Sequence, residues 1–211
     1  SLRTIHLKRR LEPRDFTVTS SLKDGVARTV VIDTPGEILT EKILEDLPIR
    51  HFQIQGDLDR DILKIAVIER HKRTGNIGRG FVRGFGLKAG AISSSVAHDS
   101  HNICVVGTND SDMAVAANEI ARLQGGLVAA KDGRILAELA LPFAGLMSTR
   151  PVEEVNEAEK YLSEAARTLG CAFASPFMVM SFLSLAVIPE IRLTDKGLVD
   201  VSAAKLIPLT S

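Results

Sequence analysis

A chain of 211 residues with 45% hydrophobic and 25% charged residues has the length and apolar content to bury a core of its own. Its 26 basic and 26 acidic residues cancel, which argues against nucleic acid as a partner, because a phosphate track needs a basic excess or stripe. The longest apolar run, residues 177–188, carries two serines and is too short to span a bilayer, so no membrane partner is expected.

No secretory leader is visible, and the cytoplasm is the default compartment. The chain opens on Ser1 rather than Met and is expected to be trimmed or cut from something longer. Cys104 and Cys171 sit among apolar neighbours and read as small core residues of a reducing compartment, not as a disulfide.

In chain order, "TIHLK" (4–8), "FTVTS" (16–20), "ARTVVID" (27–33) and "HFQIQG" (51–56) are short, β-branched or alternating, and predict strands. The basic run 8–14 reads as a solvated strand end. "EILTEKILEDL" (37–47) predicts a strand followed by a short helix. "KIAVIER" (64–70) is the most apolar strand and belongs at the centre of a sheet. The glycines of 74–90 lack the strand–loop–helix setting of a dinucleotide fingerprint. They read as bent or closely packed strands, with a ligand-covering loop as the alternative.

From residue 104 the pattern changes. "CVVGTND" is a buried strand running into Asn109 and Asp110, good caps for a helix with Met113, Ala117, Ile120 and Leu123 on one face, ended by Gly125 and Gly126. "LVAAKDGRILAEL" (127–139) is a hairpin around Asp132 and Gly133. Pro151 opens a helix carrying Val155, Ala158, Leu162, Ala165 and Leu169, with Gly170 as its stop. A further apolar helix spans 177–186, and a turn at 195–197 leads to an edge strand. The fold class is α+β: mixed β-sheets packed with three or four helices concentrated in the C-terminal half, read as a single domain over residues 1–211.

The densest polar stretch is "SSSVAHDSHN" (93–102). His98 and His101 are spaced to share a helix face and one metal ion. Three serines and Val96 before them and a strand after them predict a loop instead. A further ligand is not local, and His6, His51 and His71 stand alone. Neither H-x-H nor H-E-x-x-H occurs, and no G-x-S-x-G elbow activates Ser93, Ser94, Ser95 or Ser100. The loop is either a polar turn capping backbone donors or a functional loop. Phe143 and Met147 of "ALPFAGLMSTRP" read as core, with a purine-sized pocket wall as the alternative. The apolar 176–191 stretch is buried centrally or faces a partner.

Three stretches, "KIAVIERHKRTGNIGRGFVRGFGLKAGAISSSVAHDSHNICVVGTND", "LALPFAGLMSTRP" and "PFMVMSFLSLAVIPEIRLTDKGLVDV", together resemble the C-terminal region of bacterial and archaeal adenine deaminases, of the amidohydrolase superfamily. The likeness runs from about residue 5 to 201. It implies hydrolysis of adenine to hypoxanthine and ammonia at a binuclear manganese or iron centre on a (β/α)₈ barrel that precedes this region and carries an H-x-H motif. No residue here matches that motif, so no metal ligand is carried over and this chain alone requires no cofactor. The partners implied are the barrel domain and adenine, and a homo-oligomer is expected. The candidate lid over the active-site mouth is Ser95, His98, Asp99, Ser100, His101 and Asn102, with His98 and His101 also the candidate metal ligands. The competing expectation is a non-catalytic assembly or purine- or metal-binding module.

Overall fold

The apolar run at residues 62–68 is buried at every position, because the sheet that contains it is covered on both faces. A computed structural model describes residues 3–210. Among them, nine strands form one mixed sheet: β1 (Gly25–Asp33), β2 (Glu41–Arg50), β3 (Gln53–Ile54), β4 (Ile62–Ile68), β5 (Ile77–Arg83), β6 (Ala91–Ser94), β7 (Ile103–Gly107), β8 (Gly126–Lys131) and β9 (Arg134–Ala140). Their order is β3-β2-β1-β5-β4-β7-β6-β8-β9, which puts β4 in the middle. Only β1 and β5 run parallel.

Alternation along the central strands sorts two cores. Ile65, Val67, Cys104 and Val106 point to one face, covered by α2 (Val152–Thr168), α3 (Pro176–Phe182) and a small sheet. That small sheet is β10 (Ile191–Thr194), β11 (Gly197–Asp200) and β12 (Lys205–Ile207). Ala66, Ile68, Ile103 and Val105 point to the other face, where α1 (Asp110–Leu123) packs with Ile5, Leu11 and Phe16. The architecture is α+β, with its helices in the C-terminal half. Burial pushes the Cys104 thiol up to about 12, and both cysteines are free and buried. No helix among the described residues is long and apolar enough to cross a membrane.

Local chemistry accounts for several boundaries. Asn109 accepts the Asp112 N–H at 2.8 Å and starts α1. Asp132 and Gly133 both take positive φ, as a tight hairpin turn requires. Pro151 stands one residue before the first helical residue of α2 rather than inside it, and α3 stops at Phe182, short of residue 186.

Other expectations fail for tertiary reasons. Residues 4–8 form no strand; the His6 N–H instead meets the Arg70 carbonyl at 2.7 Å. Residues 13–16 turn as a 3₁₀ helix begun by Pro13, and Thr19 alone bridges to Gln53. Within 37–47 there is no helix. Ile43, Leu44 and Leu47 have helical spacing, yet β2 pairs with β1 from Glu41 to Ile49, and that ladder overrides local preference. His51 and Phe52 take left-handed backbone, which leaves β3 only Gln53 and Ile54. Phe143 and Met147, expected in the core, are exposed.

The glycine-rich segment is close packing made visible. The amides of Gly84 and Gly86 donate to the Asp61 carboxylate at 3.0 and 2.7 Å. A Cβ on Gly78 would lie 1.8 Å from the Thr194 carbonyl oxygen, so β10 can cross β5 only over a bare backbone. Gly78→Ala is therefore expected to cost about 2 kcal/mol or more in urea unfolding. Gly36→Ala, which meets open space, should leave the midpoint unchanged.

Candidate functional site

Where β6 ends and β7 begins, residues 95–102 form a loop at one end of the sheet. Its base is built by buried hydroxyls. Ser93 Oγ donates to the Cys104 carbonyl at 3.1 Å, and Ser94 Oγ to the Val96 carbonyl at 3.1 Å. Ser95 Oγ donates to the Gly145 carbonyl at 2.6 Å and accepts the Gly126 N–H at 2.8 Å. These serines are fully buried, so Ser95 anchors the loop rather than facing a ligand. Asn102 is buried too: its side chain accepts the Arg70 N–H and donates to Asp195, both at 3.3 Å.

The apex is different. Asp99 and Ser100 are exposed, while His98 and His101 are half-buried. The His98 N–H donates to the Ser181 carbonyl at 2.8 Å, Ser184 Oγ donates to the His98 carbonyl at 3.3 Å, and the His98 ring lies 5.5 Å from that of Phe182. The end of α3 therefore fixes His98. The two imidazoles meet edge to face with centroids 5.6 Å apart. His101 takes left-handed backbone, its N–H donates to the Ala97 carbonyl at 2.6 Å, and its own carbonyl receives Arg70 Nε.

Charged groups that the sequence pattern did not single out hold this apex from below. Arg70 is 2% exposed and its guanidinium faces oxygens of the chain, not a carboxylate. Beyond the His101 carbonyl it reaches the Thr4 carbonyl at 3.3 Å, Thr4 Oγ1 at 3.1 Å and the Ala144 carbonyl at 3.1 Å. Glu69, also buried, accepts the N–H groups of His71, Lys72 and Thr74 at 2.5, 2.6 and 2.9 Å. Burial pushes its carboxyl up, but those hydrogen bonds outweigh burial and hold it below the usual range. His71, which the sequence leaves alone, places Nε2 2.7 Å from the Ser100 carbonyl. The legible signal was a run of three ionisable residues, Glu69–Arg70–His71, directly after the central strand.

Burial, then the charges of His98, Arg70 and His71, lower the His101 pKa against the opposing pull of Asp99. The ring is neutral at pH 7. Its Nδ1 accepts the Ala97 N–H at 3.4 Å, which leaves the proton on Nε2 as a donor. The apex thus offers a carboxylate acceptor, Asp99, beside a neutral imidazole donor. Among the described residues no three His, Cys, Asp or Glu side chains converge to hold a metal ion. Two imidazoles alone do not complete a coordination shell, so His98 and His101 do not fit a metal centre built by this chain. A separate groove of about 1070 Å³, between the N-terminal segment and α1, includes none of the loop residues.

Residues 37–205 match the adenine deaminase C-terminal domain. Adenine deaminase of Methylobacterium nodulans is 53% identical over 193 residues, covering 92% of this chain and 34% of that protein. That of Brucella abortus is 52% identical over 182 residues, 86% of this chain and 31% of the relative. That of Dehalococcoides mccartyi is 46% identical over 207 residues, 98% of this chain and 36% of the relative. The chain spans about a third of the length of the curated relatives it matches.

Two outcomes test the geometry. Arg70→Met strips its partner oxygens of their donor and should cost about 3 kcal/mol in urea unfolding, with Arg70→Lys intermediate. For His101 the folded-state pKa lies below its ordinary value of 6.5. Above that value the ring is neutral folded or unfolded and contributes no slope. As pH falls below about 6.5 the unfolded chain takes up a proton that the folded chain resists, and stability declines. His101→Asn, which tolerates left-handed backbone, should flatten that decline when unfolding midpoints are compared from pH 8 to pH 5.

Proposed function

The chain belongs to the adenine deaminase C-terminal domain family, and we propose that it serves the hydrolysis of adenine to hypoxanthine and ammonia by covering the active-site mouth rather than by activating water. The observation that carries this reading is the division of labour within residues 93–102. Ser93, Ser94, Ser95 and Asn102 are buried and bonded, so the protein has tied the base of the loop down. His98, Asp99, Ser100 and His101 are left at an apex, where a ligand can reach them.

A purine presents ring N–H donors and ring nitrogen acceptors at its edge. Asp99 accepts the former, and the Nε2–H of neutral His101 donates to the latter. With the backbone on either side of Asp99 held, at His98 by α3 and at His101 by Arg70, the loop loses little freedom on binding, and its closure keeps bulk water from the reacting carbon. In this reading a manganese or iron centre, held on an amidohydrolase barrel outside this chain, would supply the Lewis acidity for activating water. No ligand for it comes from this chain. The barrel, adenine and a second copy of the protein are the partners implied, and the cytoplasm is the compartment.

In the full-length protein, His101→Ala and Asp99→Asn should each lower kcat/KM for adenine roughly tenfold or more, the worth of one hydrogen bond to the purine edge. Metal analysis should find the bound metal unchanged. Unaltered turnover in both variants would sink the lid role. Robust ammonia release from the 211-residue chain alone with added manganese would show that it activates water itself.

A further inference from the structure

Phe143 and Met147 are 42% and 52% exposed, on a turn whose Gly145 carbonyl receives Ser95 Oγ from the base of the histidine loop. Their exposure is imposed by a braced backbone. The Phe143 and Met147 N–H groups each donate to the other's carbonyl at 3.1 Å, closing a turn. Beneath that turn the Ala144 carbonyl receives Arg70 Nη2 and the Gly145 carbonyl receives Ser95 Oγ. Ala144 and Gly145 both have positive φ, and a Cβ on Gly145 would lie 2.6 Å from Arg70 Nη1. With its inner side filled by a guanidinium, the turn can only present its two large apolar side chains outward. Two such side chains on a fixed turn form a seat for an apolar surface.

The same guanidinium identifies the occupant. Arg70 Nη1 also holds Thr4 through its carbonyl and hydroxyl, and the His6 N–H donates to the Arg70 carbonyl. The polypeptide therefore comes into this fold alongside the 143–147 turn. In the relatives about two thirds of the length lies outside the matched span, and the matched family is a C-terminal domain, so that length precedes this region. We propose that Phe143 and Met147 are the contact by which this domain seats on the polypeptide preceding residue 3 in the full-length protein, with Arg70 setting the register between that seat and the histidine loop. The proposal rests on the reading that the chain is part of a longer deaminase, and names the surface by which the lid is carried.

The test uses the full-length protein with Phe143→Ser and Met147→Ser combined, against a control pair, Leu22→Ser and Leu136→Ser, at comparably exposed positions. The seat variant should lose its single cooperative thermal transition to two separated ones. Limited proteolysis between the two portions should become at least fivefold faster, while the control pair behaves as wild type. The proposal is overturned if seat and control variants unfold and cleave alike. It is also overturned if coupling is intact and only KM for adenine rises, which would make the turn a substrate contact, or if only a dimer dissociates, which would make it a contact between copies. If wild-type full-length protein fails to release ammonia from adenine while the seat variant still uncouples, the deaminase reading falls and the seat stands.

Discussion

A buried cation with no counter-ion must be solvated by the chain itself, and much of this structure is arranged to do so. Arg70 and Arg192 are the two largest fully buried side chains, and both are wrapped in backbone carbonyls. Arg192 donates to the carbonyls of Ile38, Phe182, Ile188 and Pro189, and burial lowers its pKa to about 10, still far above neutrality. Arg70 does the same for Thr4, His101 and Ala144. A guanidinium suits this task because its five donors point in fixed, diverging directions and it stays charged. Each arginine thus fixes segments far apart in sequence that no strand ladder reaches. Removing a carboxylate partner would be the usual way to unbalance a buried charge; here the balance is spread over loops, so the loops are what the charge holds.

That arrangement explains why the fold was legible from sequence further than the site was. Period-two alternation, Asp132–Gly133 and the Asn109 cap are local signals, and the structure follows them. The expected strands at 4–8 and 16–20 and the helix within 37–47 fail because neighbours distant in sequence decide those segments. In the loop, density of polar residues singled out residues 93–102, but density cannot separate a hydroxyl that caps backbone from a group offered to a ligand. Ser95 and Asp99 look alike in a string of letters; one is buried on Gly145 and the other is exposed. Glu69 and Arg70 were passed over for the converse reason. They closed the strand expected over residues 64–70, and only contacts 31 to 74 residues away give Arg70 its meaning.

Rigidity at the base also bears on the chemistry at the apex. Loops that bind ligands are commonly mobile, and ordering them on binding costs affinity. Here the cost is met in folding: His98 is held by α3, His101 by Arg70 and Ala97, and Ser100 by His71. The same burial that fixes His101 keeps it neutral, so one packing decision sets both its position and its hydrogen-bonding character. A protonated imidazole there would place a second cation beside Arg70, which the surrounding carbonyls are already committed to solvating.

The matched span begins at residue 37, yet the physical unit begins earlier. β1, residues Gly25–Asp33, lies between β2 and β5; without it β2 and β3 would have no connection to the sheet. Ile5, Leu11 and Phe16 complete the core under α1, and Thr4 closes the shell around Arg70. Residues 4–36 are therefore structural parts of the fold that holds the loop, and the likeness to the Dehalococcoides mccartyi protein over 207 residues extends across them. Because Arg70 is bonded both to Thr4, at the start of this segment, and to the His101 carbonyl, a displacement of Thr4 reaches His101 through a single side chain.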